Sequence, residues 1–362
     1  MTLHRFSKLV VAATVVLILA GSLVTSHDAG LSVPDWPTSY GWNMFTFPPS
    51  MWVANILYEH GHRLIASTVG FLTIVLAIWL WIAERGTWLR WLGVAALGAV
   101  IAQGLLGGLT VLLFLPPAVS TAHAGLAEIF FCLTVAIALF TSPAWKAEAP
   151  RLDDVTLRRL ATATTVLIYA QILIGATMRH SGAGLAIPDF PLMFGGIVPD
   201  HWDPKIAIHF AHRLGALVVT LAITATTAYI RSRARNRREM TRPAALLVAL
   251  VATQVTLGAL TVLSRRDPWI NSFHVVCGAM VLTTSLVLTL RSWRGMFSED
   301  TVRLPSPRSV LPASAEASAR SRRSAPAKDV SIAVPRAADL PATPDEQSTP
   351  DLRLQPDRGA QA

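Results

Sequence analysis

Eight apolar stretches, at about residues 7–26, 57–82, 89–113, 118–142, 157–178, 205–230, 243–264 and 270–291, constrain this chain more than any other feature. Each is long enough for a helix to cross a hydrocarbon core of roughly 30 Å. Helix is the expected form, because backbone polar groups in lipid must find partners within their own segment. Only 15% of the residues are charged and the mean hydropathy is +0.47, whereas about a quarter of a soluble globule is charged. The net charge of +9 does not point to nucleic acid, since the basic residues fall in short loops between spans. Arg5 and Lys8 ahead of an apolar run look like a secretory leader. That segment has a counterpart later in the chain, however, and reads as a retained first span.

The basic loops set an expected orientation. One side carries Arg5, Lys8, Arg85, Arg90, Lys146, Arg151, Arg158 and Arg159, and the cluster from Arg231 to Arg242, 14 basic residues in all. The other side carries 4: Arg179, Lys205, Arg265 and Arg266. The excess places both termini in the cytoplasm and turns loops 27–56 and 179–204 outward, in a cell inner membrane. From Glu299 onward the chain is rich in Pro, Ala and Ser, and nine basic residues balance nine acidic ones. The segment 296–362 therefore reads as a disordered cytoplasmic tail.

The two halves repeat. Gly30-Leu-Ser-Val-Pro-Asp-Trp-Pro37 pairs with Gly184-Leu-Ala-Ile-Pro-Asp-Phe-Pro191 at an offset of 154, and His62-Arg63-Leu64 pairs with His212-Arg213-Leu214 at 150. Gln103 and His123 pair with Gln254 and His274 at 151. Kept order and a nearly constant offset mark a duplication. Each unit holds four spans, an even number, so both halves keep one orientation. The expected fold is all-α and integral to the membrane: eight transmembrane helices as two tandem four-helix bundles, residues 1–146 and 147–295, about a pseudo-two-fold axis along the membrane normal.

His62, His123, His212 and His274 fall in the second, fourth, sixth and eighth spans, in the outward half of each. Ionisable residues inside a span mark function by default. Two facing imidazoles can clamp a haem iron from both sides, and bundle cores hold such sites. Zinc fits less well, since it wants three or four clustered ligands and the symmetry supplies two per half. Glu59 shares a helix face with His62, three residues on, while His209 takes its place before His212. A carboxylate near the hydrocarbon core suits proton transfer or stabilisation of developing positive charge. His60 points elsewhere. Arg63 and Arg213 either pair with haem propionates or brace the outer loops. Asp35 and Asp189 read as turn-shaping residues, Gln103 and Gln254 as helix-packing ones, and Cys132 and Cys277 as small buried hydrophobes.

On Glu59-His-Gly-His62-Arg63, His212-Arg213, His123, His274 and the duplicated Pro-Asp-aromatic-Pro loops, the chain resembles the haem A synthase family of respiratory assembly enzymes over about residues 5–295. The resemblance implies that His62 and His123 hold the substrate haem O, that His212 and His274 hold a haem b, and that Glu59 is the catalytic glutamate. The implied reaction oxidises the C8 methyl of haem O to a formyl group by successive hydroxylation, giving haem A for cytochrome oxidase. Implied partners are haem O, membrane lipid, haem O synthase and cytochrome oxidase assembly factors, with room for a homo-oligomer. Many members carry a cysteine pair in the first outer loop; loop 27–56 has none, which puts a thiol-dependent step in doubt. The competing readings are a non-catalytic di-haem b-type electron-transfer subunit and a colourless transporter with parallel repeats.

Overall fold

A computed structural model describes residues 1–147 and 154–294. The expected tail and Arg151 lie outside the described residues. Eight long helices carry the apolar stretches: α1 (Leu3–Ser26), α2 (Asn55–Ala83), α3 (Leu89–Leu112), α4 (Pro117–Phe140), α6 (Val155–His180), α7 (Pro204–Arg233), α8 (Arg238–Leu263) and α9 (Pro268–Ser292). All eight are long and apolar enough to span a membrane. Two features escaped the sequence. A one-turn helix, α5 (Pro143–Lys146), follows α4, capped by Ser142 accepting from the Trp145 N–H and tied to the end of α2 by Lys146–Glu84 at 2.7 Å. Helix α8 begins five residues before the expected start at Pro243. Proline there cannot donate to the carbonyl of Glu239, and the Arg291 guanidinium donates to it instead.

Within the first half α1 packs on α2, α2 on α3, α3 on α4 and α4 back on α1; α6 to α9 close in the same way. Each half buries its own apolar cluster, one around Val10, Leu76, Leu80 and Ile137, the other around Leu157, Ile223, Leu247 and Leu282. The halves meet through α1·α9, α4·α6 and α4·α9. Exchanging the halves maps the first of these pairs onto the second and leaves the third unchanged, which is the contact set of a two-fold axis between α4 and α9. These two helices are accordingly the most buried, at 44% and 50% of their apolar windows against 17–33% for the rest. Residues such as Phe71, Val166 and Leu221 are exposed and apolar, as lipid contact requires.

Lipid offers little hydrophobic drive for helix association, so short hydroxyl bonds knit the spans. Thr164 meets Thr226 at 2.8 Å, and Thr165 meets Ser285 at 2.7 Å and Thr289 at 2.8 Å. His4 Nδ1 bonds the Ala138 carbonyl at 3.0 Å and Leu290 packs on the Phe6 cluster, so the start of α1 and the ends of α4 and α9 share one face. That face carries the basic residues, with Arg90 over Trp81 and Trp91 at 5.1 and 5.5 Å, as in an interfacial aromatic belt. The opposite face carries the two long loops.

Candidate functional site

Helices α2, α4, α7 and α9 all begin at the long-loop face, and their histidines are the seventh to ninth residues of each. At about 1.5 Å per residue, all four histidine backbones lie roughly 9–12 Å below the helix starts. Each ring rests edge-on against a glycine of the neighbouring helix. A Cβ at Gly21, Gly107, Gly175 or Gly258 would meet Cε1 of His62, His123, His212 or His274 at 2.9, 3.0, 2.7 and 3.0 Å. These four glycines are two repeat-equivalent pairs, Gly21 with Gly175 and Gly107 with Gly258, a signal available from the duplication but not singled out from it.

His212 and His274 face each other with ring centroids 6.4 Å apart and planes at 73°. Two imidazole nitrogens each about 2 Å from one metal ion put their centroids roughly 6 Å apart. At this spacing His212 and His274 could hold one metal ion between them. His62 and His123 lie within electrostatic range of one another. His274 Nδ1 donates to the Gln254 carbonyl at 3.2 Å, which fixes the tautomer that carries the lone pair on Nε2. Gln103 and Gln254 do bridge helices, but through the histidines: each carboxamide nitrogen lies 3.4 Å from Nε2 of His123 or His274. Gln171, which the sequence reading passed over, donates to the His212 carbonyl at 2.7 Å and lies 3.0 Å from its Nδ1. Its repeat counterpart is Leu17.

The loops above the two sites are built alike. Arg63 donates to the carbonyls of Val33, Asp35 and Thr38 at 2.7, 2.7 and 3.0 Å. Arg213 donates to those of Ile187, Asp189 and Leu192, the same three repeat positions, at 3.1, 2.7 and 2.9 Å. Loop bracing is thus the alternative visible in their hydrogen bonds. Asp35 accepts from the Tyr40 and Gly41 N–H groups at 2.7 and 2.8 Å, and Asp189 from those of Phe194 and Gly195, both at 2.9 Å. Tyr40, Gly41, Phe194 and Gly195 all have positive φ, so these carboxylates hold two left-handed turns. Burial pushes Asp35 up, but hydrogen bonds from Gly41, Thr38 and Tyr40 outweigh it and hold the carboxyl below its ordinary pKa. The N–H groups of Gly195 and Phe194 do the same for Asp189.

Glu59 is buried, accepts the Val33 N–H at 2.7 Å and pairs with Arg63 at 2.6 Å. His209 accepts the equivalent N–H, that of Ile187, at 3.3 Å. His60 faces away from the paired rings, bonding Ser39 at 3.2 Å between Phe47 and Trp52. Two concavities, of about 510 Å³ at residues 232–237 and about 440 Å³ between the starts of α1 and α5, lie at the basic face and touch none of the four histidines. The paired rings, not an enclosed void, therefore define the candidate site.

An eight-span helical membrane protein with one facing histidine pair, His212 and His274, and a repeat-equivalent pair, His62 and His123, beside a carboxylate is the class defined here. The chain belongs to the cytochrome oxidase assembly protein family COX15-CtaA, whose model matches residues 4–286. The heme A synthase of Symbiobacterium thermophilum is 31% identical over 260 residues, covering 69% of this chain and 83% of that protein. The heme A synthase of Halalkalibacterium halodurans is 27% identical over 291 residues, covering 78% and 94%. That of Geobacillus kaustophilus is 26% identical over 302 residues, covering 81% and 93%.

Proposed function

We propose that this chain is a haem A synthase, an oxidoreductase of the cell inner membrane that converts the C8 methyl of haem O to the formyl group of haem A. The observation that carries the reading is an asymmetry at one repeat position: a buried carboxylate, Glu59, stands beside His62, and His209 stands beside His212. In this reading His62 and His123 hold haem O, and His212 and His274 hold a haem b. The haem b supplies one-electron redox chemistry, tuned by its ligands and burial.

The chain's own residues do the rest. The glycines that seat the four rings fix their orientation without blocking the space between helices. Gln254 fixes the His274 tautomer through its carbonyl, and its carboxamide would have to release Nε2 for an iron to bind there. Glu59 uses one acceptor site on each oxygen, for Val33 and for Arg63. A carboxylate has about four such sites. The remaining ones can take a hydroxyl or water at the edge of the substrate, while the fixed negative charge stabilises positive charge developing on the methyl carbon. Arg63 and Arg213 hold the loops that roof each site; contacts to propionates would add to these bonds. The basic face is assigned to the cytoplasm by the excess of Lys and Arg. Haem O synthase and oxidase assembly factors are the partners this chemistry calls for.

One observation favours the second reading, a non-catalytic di-haem electron-transfer subunit. Glu59 and His209 hold equivalent loop amides, so the carboxylate has a structural task as well. Incubating the purified protein with haem O and extracting the pigments separates the two. Hydroxylated and formylated haem supports the synthase; haem O recovered unchanged from redox-active protein overturns it.

A further inference from the structure

Apart from the histidine neighbourhoods, the halves differ at one edge of the long-loop face. Arg179, near the end of α6, donates through Nη2 to the Ser22 carbonyl and the Ser26 hydroxyl of α1, both at 2.8 Å. Ser26 in turn meets Ser272 at 3.0 Å and Asn271 at 3.2 Å, one turn of α9 before His274. The Nε of Arg179 is buried and has no partner; Asp28 acts on this guanidinium electrostatically but, among the described residues, no carboxylate forms an ion pair with it. Arg266, in the α8–α9 loop, lies over Gly184, with its Cδ 3.8 Å from where a Cβ would stand. Across the loops it meets Asp28, 3.9 Å away and 87% exposed.

The first half keeps this backbone and discards the charge. The repeat counterpart of Arg179 is Thr25 and that of Arg266 is Leu115. Leu115 packs on Gly30, the counterpart of Gly184, and both loop pairs, Phe114–Leu115 and Arg265–Arg266, have positive φ. Two cations have therefore been placed at this rim, sharing the exposed Asp28, and one of them is buried without an ion pair among the described residues. A buried guanidinium left uncompensated is costly, and its planar donors match a carboxylate.

Resting on the reading above, we infer that Arg179 and Arg266 form a carboxylate site that takes the propionates of the porphyrin held by His212 and His274. Thr25 and Leu115 offer no such grip, which leaves the porphyrin between His62 and His123 free to exchange. The asymmetry suits a resident cofactor in one half and a substrate that must leave as product in the other. Propionates are the charged edge of the macrocycle, and histidines lying near the long-loop face direct that edge towards this rim.

The test loads the purified full chain with iron protoporphyrin IX or with its dimethyl ester and follows transfer to apomyoglobin. For Arg179→Gln and Arg266→Gln, the free acid should leave the second site roughly ten- to a hundredfold faster than from the wild type, the scale of hydrogen bonds to charged groups. The ester should leave variant and wild type at the same rate. Ser26→Ala, which loses the interhelical bond but keeps the cation, should release the free acid as the wild type does. Equal acceleration of acid and ester would show a merely structural arginine and overturn the inference. Unchanged release of both would overturn it too, with a lipid phosphate as the anion instead. If His212→Ala retained porphyrin as well as the wild type, the histidine assignment itself would fail, a distinct result.

Discussion

Glu59 and His209 perform one task with two chemistries: each accepts the backbone N–H of the residue that opens its roof loop, Val33 at 2.7 Å and Ile187 at 3.3 Å. The duplication has kept the geometry and exchanged a carboxylate for an imidazole. Charge at this position is thus the variable between the sites, while the hydrogen bond is the constant.

Glu59→Gln keeps an acceptor for Val33 and removes the charge. It should retain fold and haem content yet accumulate haem O or its hydroxylated form in pigment extracts. Glu59→Ala also removes the carboxylate from the part-buried Arg63, which keeps its three carbonyls, and should cost about 1.5–3 kcal/mol in stability, read from thermal unfolding in detergent. Normal haem A yield from Glu59→Gln would remove the carboxylate from the chemistry.

The glycine seats are tested along one helix. Gly107→Ala puts a methyl 3.0 Å from His123, whereas Gly104→Ala meets nothing within 4 Å. The first should cost about 1–3 kcal/mol by overpacking and reduce haem O binding in a spectroscopic titration. The second should be neutral or slightly stabilising. Equal behaviour of the two variants would mean that the ring contact carries no constraint.

Arg213→Lys retains charge but cannot reach three carbonyls in a plane. A loss of roughly 1.5–3 kcal/mol in loop stability is expected, seen as faster proteolysis within residues 184–200. A loop as resistant as the wild type would show that the guanidinium fork is dispensable.

The turns held by Asp35 and Asp189 have a definite pH dependence. Both carboxyls lie below their ordinary pKa, so their stabilisation is fully present above the unfolded value near 3.8 and is lost as pH falls through the lower folded value. Amide exchange at Tyr40, Gly41, Phe194 and Gly195, corrected for intrinsic rates, should stay protected from pH 8 to about 4. Loss of protection near neutrality would implicate another group.

Hydropathy made all eight spans legible, because lipid forces backbone pairing within each segment. The duplication exposed the four histidines, the two arginines and the turn-forming aspartates as matched pairs. It failed where partners come from tertiary contact. Nothing in the sequence says that Arg291 would reach the Glu239 carbonyl left unpaired by Pro243, so α8 starts earlier than expected. Gln171 was passed over and Arg179 was read only as a loop charge because both break the repeat, and a comparison of the halves for likeness passes over the positions where they differ. The alternatives for Arg63 and Arg213 required the loop carbonyls to be placed.

The most direct test is the electron paramagnetic resonance spectrum of the ferric protein as purified, wild type against His274→Ala. Opposed imidazoles at 6.4 Å predict a low-spin signal of two axial histidines that disappears in the variant together with bound haem b. The same signal at full intensity in His274→Ala would contradict the paired-histidine site.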